Sequence, residues 1–373
     1  LAYPFEKRNN EGKIPMSVLD DKVRRVLRTI FRTAMNPAKV IGSQCSEPHY
    51  AACKTIGEEG IVLLKNEKNI LPIQPGRYRR ILVVGENADR SLTKGGGSSE
   101  LKTLRDISPL ESLRRLYGDK LDYAQGYTSG RAIYDEVDKV DPKENERLRE
   151  EALQKAKQAD LIIFIGGLNK NCKQDCENAD RESYDLSFGQ NELITALAKL
   201  QKNIVVCTFG GNAFATPWIG QVKGFVHCWY LGSMAGDALA DVLSGTCNPS
   251  GKLPVTFAKK LGDYSFAQYG AEAYPGVNKQ VYYKEGLFVG YRHFDTHKVI
   301  PQFPFGFGLS YTTFSYGRPR LSANSLKGDG KLTLSVDITN TGKREGKEIV
   351  QLYIGQQSPV EERPLKELKG FEK

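Results

Sequence analysis

The central part of the chain alternates short apolar runs with amphipathic segments. Between residues 45 and 257, the runs ILVVG, LIIFIGG, NIVVCTFGG and GFVHCWYLG have the length of strands, and helical periodicity fills most of the sequence between them. A run that is apolar at every position indicates a strand buried on both faces, as in a parallel sheet covered by helices. The alternation therefore predicts an α/β domain with a mainly parallel sheet and helices on both faces.

A cluster of carboxylates follows LIIFIGG, although the whole chain has a net charge of +9. Ligands of parallel α/β sheets bind in loops outside the carboxyl ends of the strands, which is where this cluster falls. Crowding of like charges raises the pKa of a carboxyl group, so that it can act as a general acid near neutral pH. A solvated acidic loop without chemistry is the alternative. The segment is QDCENADRESYDL, residues 174–186, with Asp175, Glu177, Asp180, Glu182, Asp185 and one arginine, Arg181.

Several other classes of protein do not fit the sequence. Lys and Arg are spread along the chain without a cluster of five, which argues against nucleic acid as a partner. No apolar run approaches the roughly 20 residues that span a bilayer. The glycines of KGGGSSE (94–100) lack the spacing of a phosphate-binding loop, so a tight loop near a ligand or a structural turn remains. With four histidines and no G-x-S-x-G motif, a Ser–His–Asp triad is poorly supported.

The seven cysteines do not indicate a disulfide framework, because their number is odd and the chain is long. Cys172 lies just before the acidic segment and Cys176 within it, four residues apart. A metal site there would need two more thiol or imidazole ligands, and the nearest histidine in the sequence is His227. We therefore expect neither metal nor cofactor, and either a loop disulfide or two free thiols.

The two ends of the chain follow other patterns. Residues 17–34 predict an amphipathic helix whose apolar stripe needs a partner. Toward the C-terminus, KLTLSVDITNTG alternates apolar and polar residues, and EIVQLYIG repeats the alternation at Val350, Leu352 and Ile354. Half-buried strands of this kind predict a β-sandwich. The segment is shorter than the roughly 100 residues of such a domain, which predicts a small or truncated one.

Six motifs, taken in order, resemble the C-terminal two-thirds of glycoside hydrolase family 3, the β-glucosidase and β-xylosidase family. The segment NTGKREGKEIVQLYIG near the end resembles the family's fibronectin-III-like domain, and with it the resemblance spans more than 80% of the chain. The motifs are GIVLLKNEKNILPI (60–73), VVGENAD with KGGGSSEL (83–101), DCENADR (175–181), NPSGKLPVTF (248–257), EGLFVGYRHFD (285–295) and FPFGFGLSYTTFSY (303–316).

The resemblance implies a domain organisation. Residues 1–40 would be the end of a (β/α)8 barrel and a linker, and 41–257 an α/β sandwich domain that carries the acid/base loop. A connector over 258–302 would lead to a fibronectin-III-like domain over 303–373, truncated at its end. The catalytic nucleophile of the family is an aspartate in the barrel. The resemblance therefore implies that the nucleophile lies outside this chain, in a barrel domain that would be its partner.

The resemblance also assigns roles to residues of the acidic loop. Glu177 matches the glutamate of the family's E-G-x-D-R-like loop, the general acid/base, and its acidic neighbours and the nucleophile would hold its pKa up. Asn178 stands where glycine is common, and Ser187 stands where proline is often found. Arg181 would stabilise the loop by pairing with Asp180 or Asp185. Ser98 matches the family's motif serine and would contact sugar hydroxyls.

The expected function is that of a retaining β-glucosidase that releases terminal β-linked glucose from oligosaccharides or glycosides without a cofactor. A β-xylosidase of the same family is the alternative. From a different class, the chain would be a non-catalytic sugar-binding or structural fragment without the nucleophile domain. The 373 residues alone are expected to be inactive. The resemblance also makes export to the periplasm or the medium an expectation, although no signal peptide is visible.

Overall fold

The computed structural model describes residues 2–74, 76–91, 97–99, 101, 103–133, 136–177 and 180–373. The chain forms two units, Leu1–Ser46 and Glu47–Lys373. The helices are α1 (Ala2–Asn10), α2 (Met16–Arg32), α3 (Glu47–Gly60), α4 (Pro109–Tyr117), α5 (Pro142–Ala156), α6 (Gln190–Leu200), α7 (Ala235–Ser244) and α8 (Tyr291–Thr296). The strands are β1 (Val62–Asn66), β2 (Ile81–Val84), β3 (Leu121–Ala124), β4 (Leu161–Gly167), β5 (Ile204–Phe209), β6 (Gly224–Trp229), β7 (Phe314–Tyr316), β8 (Arg320–Leu321), β9 (Leu334–Ser335), β10 (Ile338–Asn340), β11 (Val350–Ile354) and β12 (Glu367–Glu372).

The first unit consists of the helices α1 and α2. The amphipathic helix predicted over 17–34 is present as α2. Its apolar stripe is exposed, with Val26 and Phe31 at 61% and 58% of their full accessibility. Within the described part of the chain, none of the helices has the length and hydropathy needed to cross a bilayer.

The second unit is built on a six-stranded sheet with the strand order β1-β6-β5-β4-β2-β3. All neighbouring strands are parallel except β1, which pairs antiparallel with β6 at one edge. The helices α4, α5 and α6 connect successive parallel strands, as expected for crossover connections. The predicted mainly parallel sheet is therefore confirmed.

Each buried strand supplies side chains to two separate cores. In β4, Leu161, Ile163 and Ile165 face one core, which contains residues of α4 and α7, whereas Ile162 and Phe164 face a second core with residues of α5 and α6. All five side chains are fully buried. Side chains alternate between the two faces of a strand, so a strand between two helical layers must be apolar at every position.

The last strand of the order, β3, was not predicted. It has the sequence LDYA, it lies at the sheet edge, and only Ala124 is fully buried. Asp122 is on the exposed side, where it pairs with Lys155 of α5 at 3.0 Å. An edge strand that buries so little lacks the apolar run by which its neighbours were recognised.

Residues 303–373 form three two-stranded antiparallel pairs, β7 with β10, β8 with β9 and β11 with β12. The predicted β character is confirmed, but the single strand predicted in KLTLSVDITNTG is two short ones, β9 and β10. The predicted inward face of β11 is also wrong. Leu352 and Ile354 are 37% and 56% exposed, whereas Gln351 donates to the carbonyl of Gly306 at 3.0 Å. Alternation identifies two faces of a strand, and packing decides which of them is buried.

Candidate active site

The loops that follow β2, β3, β4 and β5 meet at one edge of the sheet, because these strands are parallel. The chain passes from β2 to β3 on one side of β2 and then returns to β4 on its other side. The carboxyl ends of β2 and β4 therefore form a topological switch point, which is the usual place for a ligand in such sheets. Ser98 follows β2, and Glu177 follows β4.

A buried polar network joins the bases of three of these loops. Glu86, after β2, accepts hydrogen bonds from the hydroxyl of Thr128 at 3.0 Å and the amide of Ser129 at 3.1 Å, both after β3. Arg90 donates to the hydroxyl of Ser129 at 2.6 Å and to Asn171, after β4, at 3.1 Å. Buried polar groups need such partners, and a network in which each member is satisfied holds its parts in a fixed arrangement.

Glu177 and Ser98, at the exposed ends of two of these loops, are in direct contact. The backbone amide of Ser98 donates to Oε2 of Glu177 at 2.6 Å. The Ser98 hydroxyl and this amide together lower the pKa of Glu177, because both hydrogen bonds stabilise the charged form. The acidic neighbours within this chain therefore do not raise the pKa of Glu177 as expected, whereas the rise expected from the barrel nucleophile stays a prediction. Those neighbours are engaged elsewhere, and burial of the exposed carboxyl group is too slight to offset the hydrogen bonds.

Asp175 has a structural position at the base of the acidic loop. Its carboxylate accepts hydrogen bonds from the amide of Gly211, from Asn212 at 3.0 Å and from the hydroxyl of Tyr230 at 3.0 Å. These partners follow β5 and β6. The side chain thus ties the loop after β4 to two neighbouring strand ends.

The remaining charged residues of the loop are also engaged. Glu182 pairs with Lys173, and Asp185 accepts from Asn191 at 3.3 Å. Arg181 donates from Nη2 to the carbonyl of Ala213 at 2.7 Å. Among the described residues, no ion pair joins Arg181 to Asp180 or Asp185, so the expected pairing is not formed. Asp180 instead contacts Tyr274.

One departure from the family pattern has a structural role. The hydroxyl of Ser187 accepts from Nε2 of Gln174 at 2.9 Å, a bond that a proline at this position could not make. The next helix, α6, begins at Gln190, whose side-chain amide bonds both the N–H and the C=O of Gly167. The other departure, Asn178, lies outside the described residues, as do Gly95 and Gly96 of the glycine-rich segment.

A cleft of about 1240 Å³ opens beside Glu177. One wall is the acidic loop, and a second wall is supplied by residues of the segment 254–305, of which Tyr264 and Tyr274 contact Tyr184 and Asp180 of the loop. Sequence reasoning assigned residues 258–302 to a connector and missed this wall. The signal available was the density of aromatic residues in that segment, which includes Tyr264, Phe266 and Tyr274.

No disulfide joins Cys172 and Cys176, which resolves the two alternatives left open. In the described part of the chain, no group of three His, Cys, Asp or Glu side chains is placed to hold a metal ion. His227 is fully buried, and burial lowers its pKa to about 3, so it is neutral at physiological pH. Trp218 lies in the core with its Nε1 2.9 Å from Asn191, too deep to contact a sugar.

The chain was compared with models of known protein families and matches the model of one family. The model of the glycosyl hydrolase family 3 C-terminal domain matches residues 61–291. This range includes the whole six-stranded sheet, the acidic loop and most of the second wall of the cleft.

Individual relatives extend the similarity to the whole chain. Beta-glucosidase BoGH3A of Bacteroides ovatus is 52% identical over 100% of this chain and 51% of its own length. Thermostable beta-glucosidase B of Acetivibrio thermocellus is 37% identical over 97% of this chain and 46% of its own length. The crystal structure of a family 3 beta-glucosidase from Bifidobacterium adolescentis superposes with a TM-score of 0.84 at 32% identity, over 98% of this chain and 51% of that one. The chain thus spans about half the length of these relatives.

Proposed function

Because the chain belongs to glycosyl hydrolase family 3, we propose that it is the C-terminal part of a retaining β-glucosidase and that Glu177 is its general acid/base. The observation that carries the proposal is the placement of Glu177. Its carboxyl group lies at the switch point of the sheet, at the mouth of a large cleft, in contact with the motif serine Ser98. The substrate would be an oligosaccharide or glycoside with a terminal β-linked glucose.

The proposed mechanism uses two carboxyl groups on opposite sides of the glycosidic bond. In retaining glycosidases these groups are about 5–5.5 Å apart; one attacks the anomeric carbon, and the other protonates the leaving oxygen and later deprotonates water. Glu177 would be the second group. The nucleophile would be an aspartate of the barrel implied by the family resemblance, so that Glu177 is brought to it across a domain boundary. The proposal keeps the domain organisation expected from the sequence. The end of the barrel and a linker would be residues 1–40, the α/β sandwich 41–257, the connector 258–302 and the fibronectin-III-like domain 303–373.

The contact with Ser98 affects the two steps differently. Hydrogen bonds to the carboxylate favour the charged form of Glu177, which is the form needed to take a proton from water. The acid step needs the protonated form. A nearby nucleophile carboxylate and the exclusion of water by bound substrate both disfavour charge on Glu177, and they would supply the opposing shift.

The test replaces Glu177 with alanine in the full-length protein. We expect kcat/KM for a β-glucoside with a poor leaving group to fall by roughly 10²–10⁴-fold, because cleavage of its glycosidic bond depends on proton donation. For a substrate with a good leaving group, the rate at which the glycosyl-enzyme intermediate forms should fall far less. Azide, which attacks without needing a base, should restore turnover of that substrate and yield the β-glucosyl azide.

The matched control is Glu182→Ala, in the same loop. The Glu182 side chain is 76% exposed and pairs with Lys173, so its loss should leave both substrates near wild-type rates. Equal, small losses on the two substrates in Glu177→Ala, without an effect of azide, would show that the loop is only scaffolding. Testing aryl β-xylosides beside aryl β-glucosides decides between the glucosidase and the xylosidase.

A further inference from the structure

A smaller cavity of about 230 Å³ lies between the helix α8 and the strand β11. It adjoins the cleft, because Thr256, Tyr291 and Phe305 line both spaces. The rest of its lining comes from α8, from prolines of the segment 301–304, from β11 and from Lys366. These parts are far apart in the sequence, so only the folded chain creates this space. We call it the small cavity.

Aromatic side chains form much of the apolar lining, and they are held in place. The rings of Tyr291 and Phe305 are stacked, with centroids 4.7 Å apart and planes 28° apart. The hydroxyl of Tyr291 accepts a hydrogen bond from the amide of Leu368 at 2.8 Å. Its ring also packs nearly perpendicular to that of Tyr353, with centroids 5.9 Å apart. Aromatic rings fixed in this way offer contact area at little cost in conformational entropy.

Two uncharged polar side chains of the lining orient each other. Gln351 donates from Nε2 to the carbonyl of Gly306 at 3.0 Å and accepts a hydrogen bond from the hydroxyl of Tyr353 at 2.7 Å. The Tyr353 hydroxyl can still accept a hydrogen bond, and the Gln351 amide can still donate one. Groups that are already oriented lose little freedom when a ligand binds.

The charged residues in the described lining form an ion pair. Nζ of Lys366 lies 3.3 Å from the carboxylate of Asp295 and 5.0 Å from the centre of the Tyr353 ring. Because the two charges cancel, the lining favours a neutral ligand over an ion. An ammonium group has three donors and a carboxylate has several acceptor positions, so each can also bond a hydroxyl group. Adjacent hydroxyls on one ring, which both donate and accept, match such a pair.

We propose that the small cavity binds a single neutral sugar ring, a pyranose. A volume of about 230 Å³ lies below the roughly 300–1,000 Å³ of pockets for drug-sized ligands, which limits the occupant to about one ring. A pyranose combines an apolar C–H face with hydroxyl groups, and the cavity combines aromatic walls with the four polar side chains described above. A purely apolar occupant would leave these polar groups without partners. Binding at this cavity does not require the chain to be a glucosidase.

A sugar site here gives the C-terminal strands a direct part in binding. Gln351 and Tyr353 lie on β11, and Lys366 immediately precedes β12. Because Tyr291 and Phe305 line both spaces, a sugar in the small cavity packs against residues that also line the cleft. The C-terminal strands would thus do more than cover the edge of the α/β domain.

The test measures binding of D-glucose to the full-length protein by saturation-transfer difference NMR. The protein is first treated with 2-deoxy-2-fluoro-β-D-glucosyl fluoride, which leaves a glycosyl ester on the nucleophile of a retaining glucosidase and so fills the position of the terminal sugar. We expect glucose still to bind. Lys366→Met and Asp295→Asn each remove a charged hydrogen-bonding group and should each raise the dissociation constant for glucose about tenfold. D-glucuronate, which carries a negative charge, should bind less tightly than glucose.

The matched control is Lys369→Met. Lys369 lies on β12 and pairs with Glu367 at 3.4 Å, but it does not line the small cavity. Its loss should leave glucose binding unchanged, and thermal unfolding reports that every variant is folded.

Four results would overturn the sugar site while leaving the glucosidase proposal intact. They are an absence of glucose binding, equal affinity in wild type and Lys366→Met, an equal loss in Lys369→Met, and glucuronate binding as tight as that of glucose. If mass spectrometry instead shows that no glycosyl ester forms, the proposed function fails, and the comparison of variants still decides whether the small cavity binds the sugar.

Discussion

The contact between Ser98 and Glu177 joins residues 79 positions apart in the sequence. It exists because their loops leave neighbouring parallel strands, β2 and β4, in the same direction. The sequence identified both residues through their motifs, but it contained no sign that they touch. It also misjudged the pKa of Glu177, because a count of nearby carboxylates ignores where each carboxylate is bound. Asp175 and Glu182 are both engaged with other partners.

At this scale we expect Ser98→Ala to change the pH dependence of activity. The Ser98 hydroxyl lowers the pKa of Glu177, so its removal raises that pKa. A general acid is active when protonated, and activity is lost as the pH rises through its pKa. The high-pH limb of kcat/KM should therefore move to higher pH in the full-length protein. Ser98→Thr, which keeps a hydroxyl, should remain near wild type. A limb that stays in place in Ser98→Ala, or moves to lower pH, would contradict this role.

At the scale of elements, close packing of α7 against the start of α4 depends on Gly236. A β-carbon added to Gly236 would lie 2.1 Å from the carbonyl oxygen of Ser108, the residue that caps α4. The oxygen belongs to the backbone and cannot rotate away. Gly236→Ala should therefore destabilise the protein by about 1–3 kcal/mol, the usual range for overpacking.

Urea unfolding of this chain measures the effect, with Gly220→Ala as the matched control. No atom lies within 4 Å of a β-carbon at Gly220, so its free energy of unfolding should change by less than about 0.5 kcal/mol. If the two substitutions lowered the free energy of unfolding equally, the intrinsic backbone preference of glycine, rather than the contact between α4 and α7, would account for the decrease.

The more apolar side-chain surface a helix or strand buries, the more readily it was predicted from the sequence. The strands β2, β4, β5 and β6 and the helix α6 were recognised because their side chains are apolar at the spacing that burial demands. The strand β3 was missed because it buries little, and the predicted face of β11 was wrong because Gln351 and Tyr353 are more buried than Leu352 and Ile354. The second wall of the cleft was missed for another reason: its aromatic residues follow no regular period, so only the folded chain brings them into the cleft that Glu177 lines.

At the scale of the molecule, the proposed mechanism divides catalysis between this chain and a barrel domain. A retaining glycosidase without its nucleophile cannot form the glycosyl-enzyme intermediate. The purified 373-residue chain should therefore release no measurable aryl alcohol from aryl β-glucosides, whereas the full-length protein should. Turnover by the purified chain that is lost in Glu177→Ala would place both carboxyl groups within it and would refute the division.

The network of Glu86, Arg90 and Asn171 holds the bases of the loops, whereas Glu177 lies at the exposed end of one of them and lines the cleft. The groups that hold the loop bases together and the proposed acid/base are thus different residues. Selection can alter the cleft residues while the loop bases stay constant, and laboratory evolution can do the same. A library confined to Asp180, Ser183 and Tyr274, which are exposed and line the cleft, would sample new leaving groups without disturbing the sheet that supports the proposed acid/base.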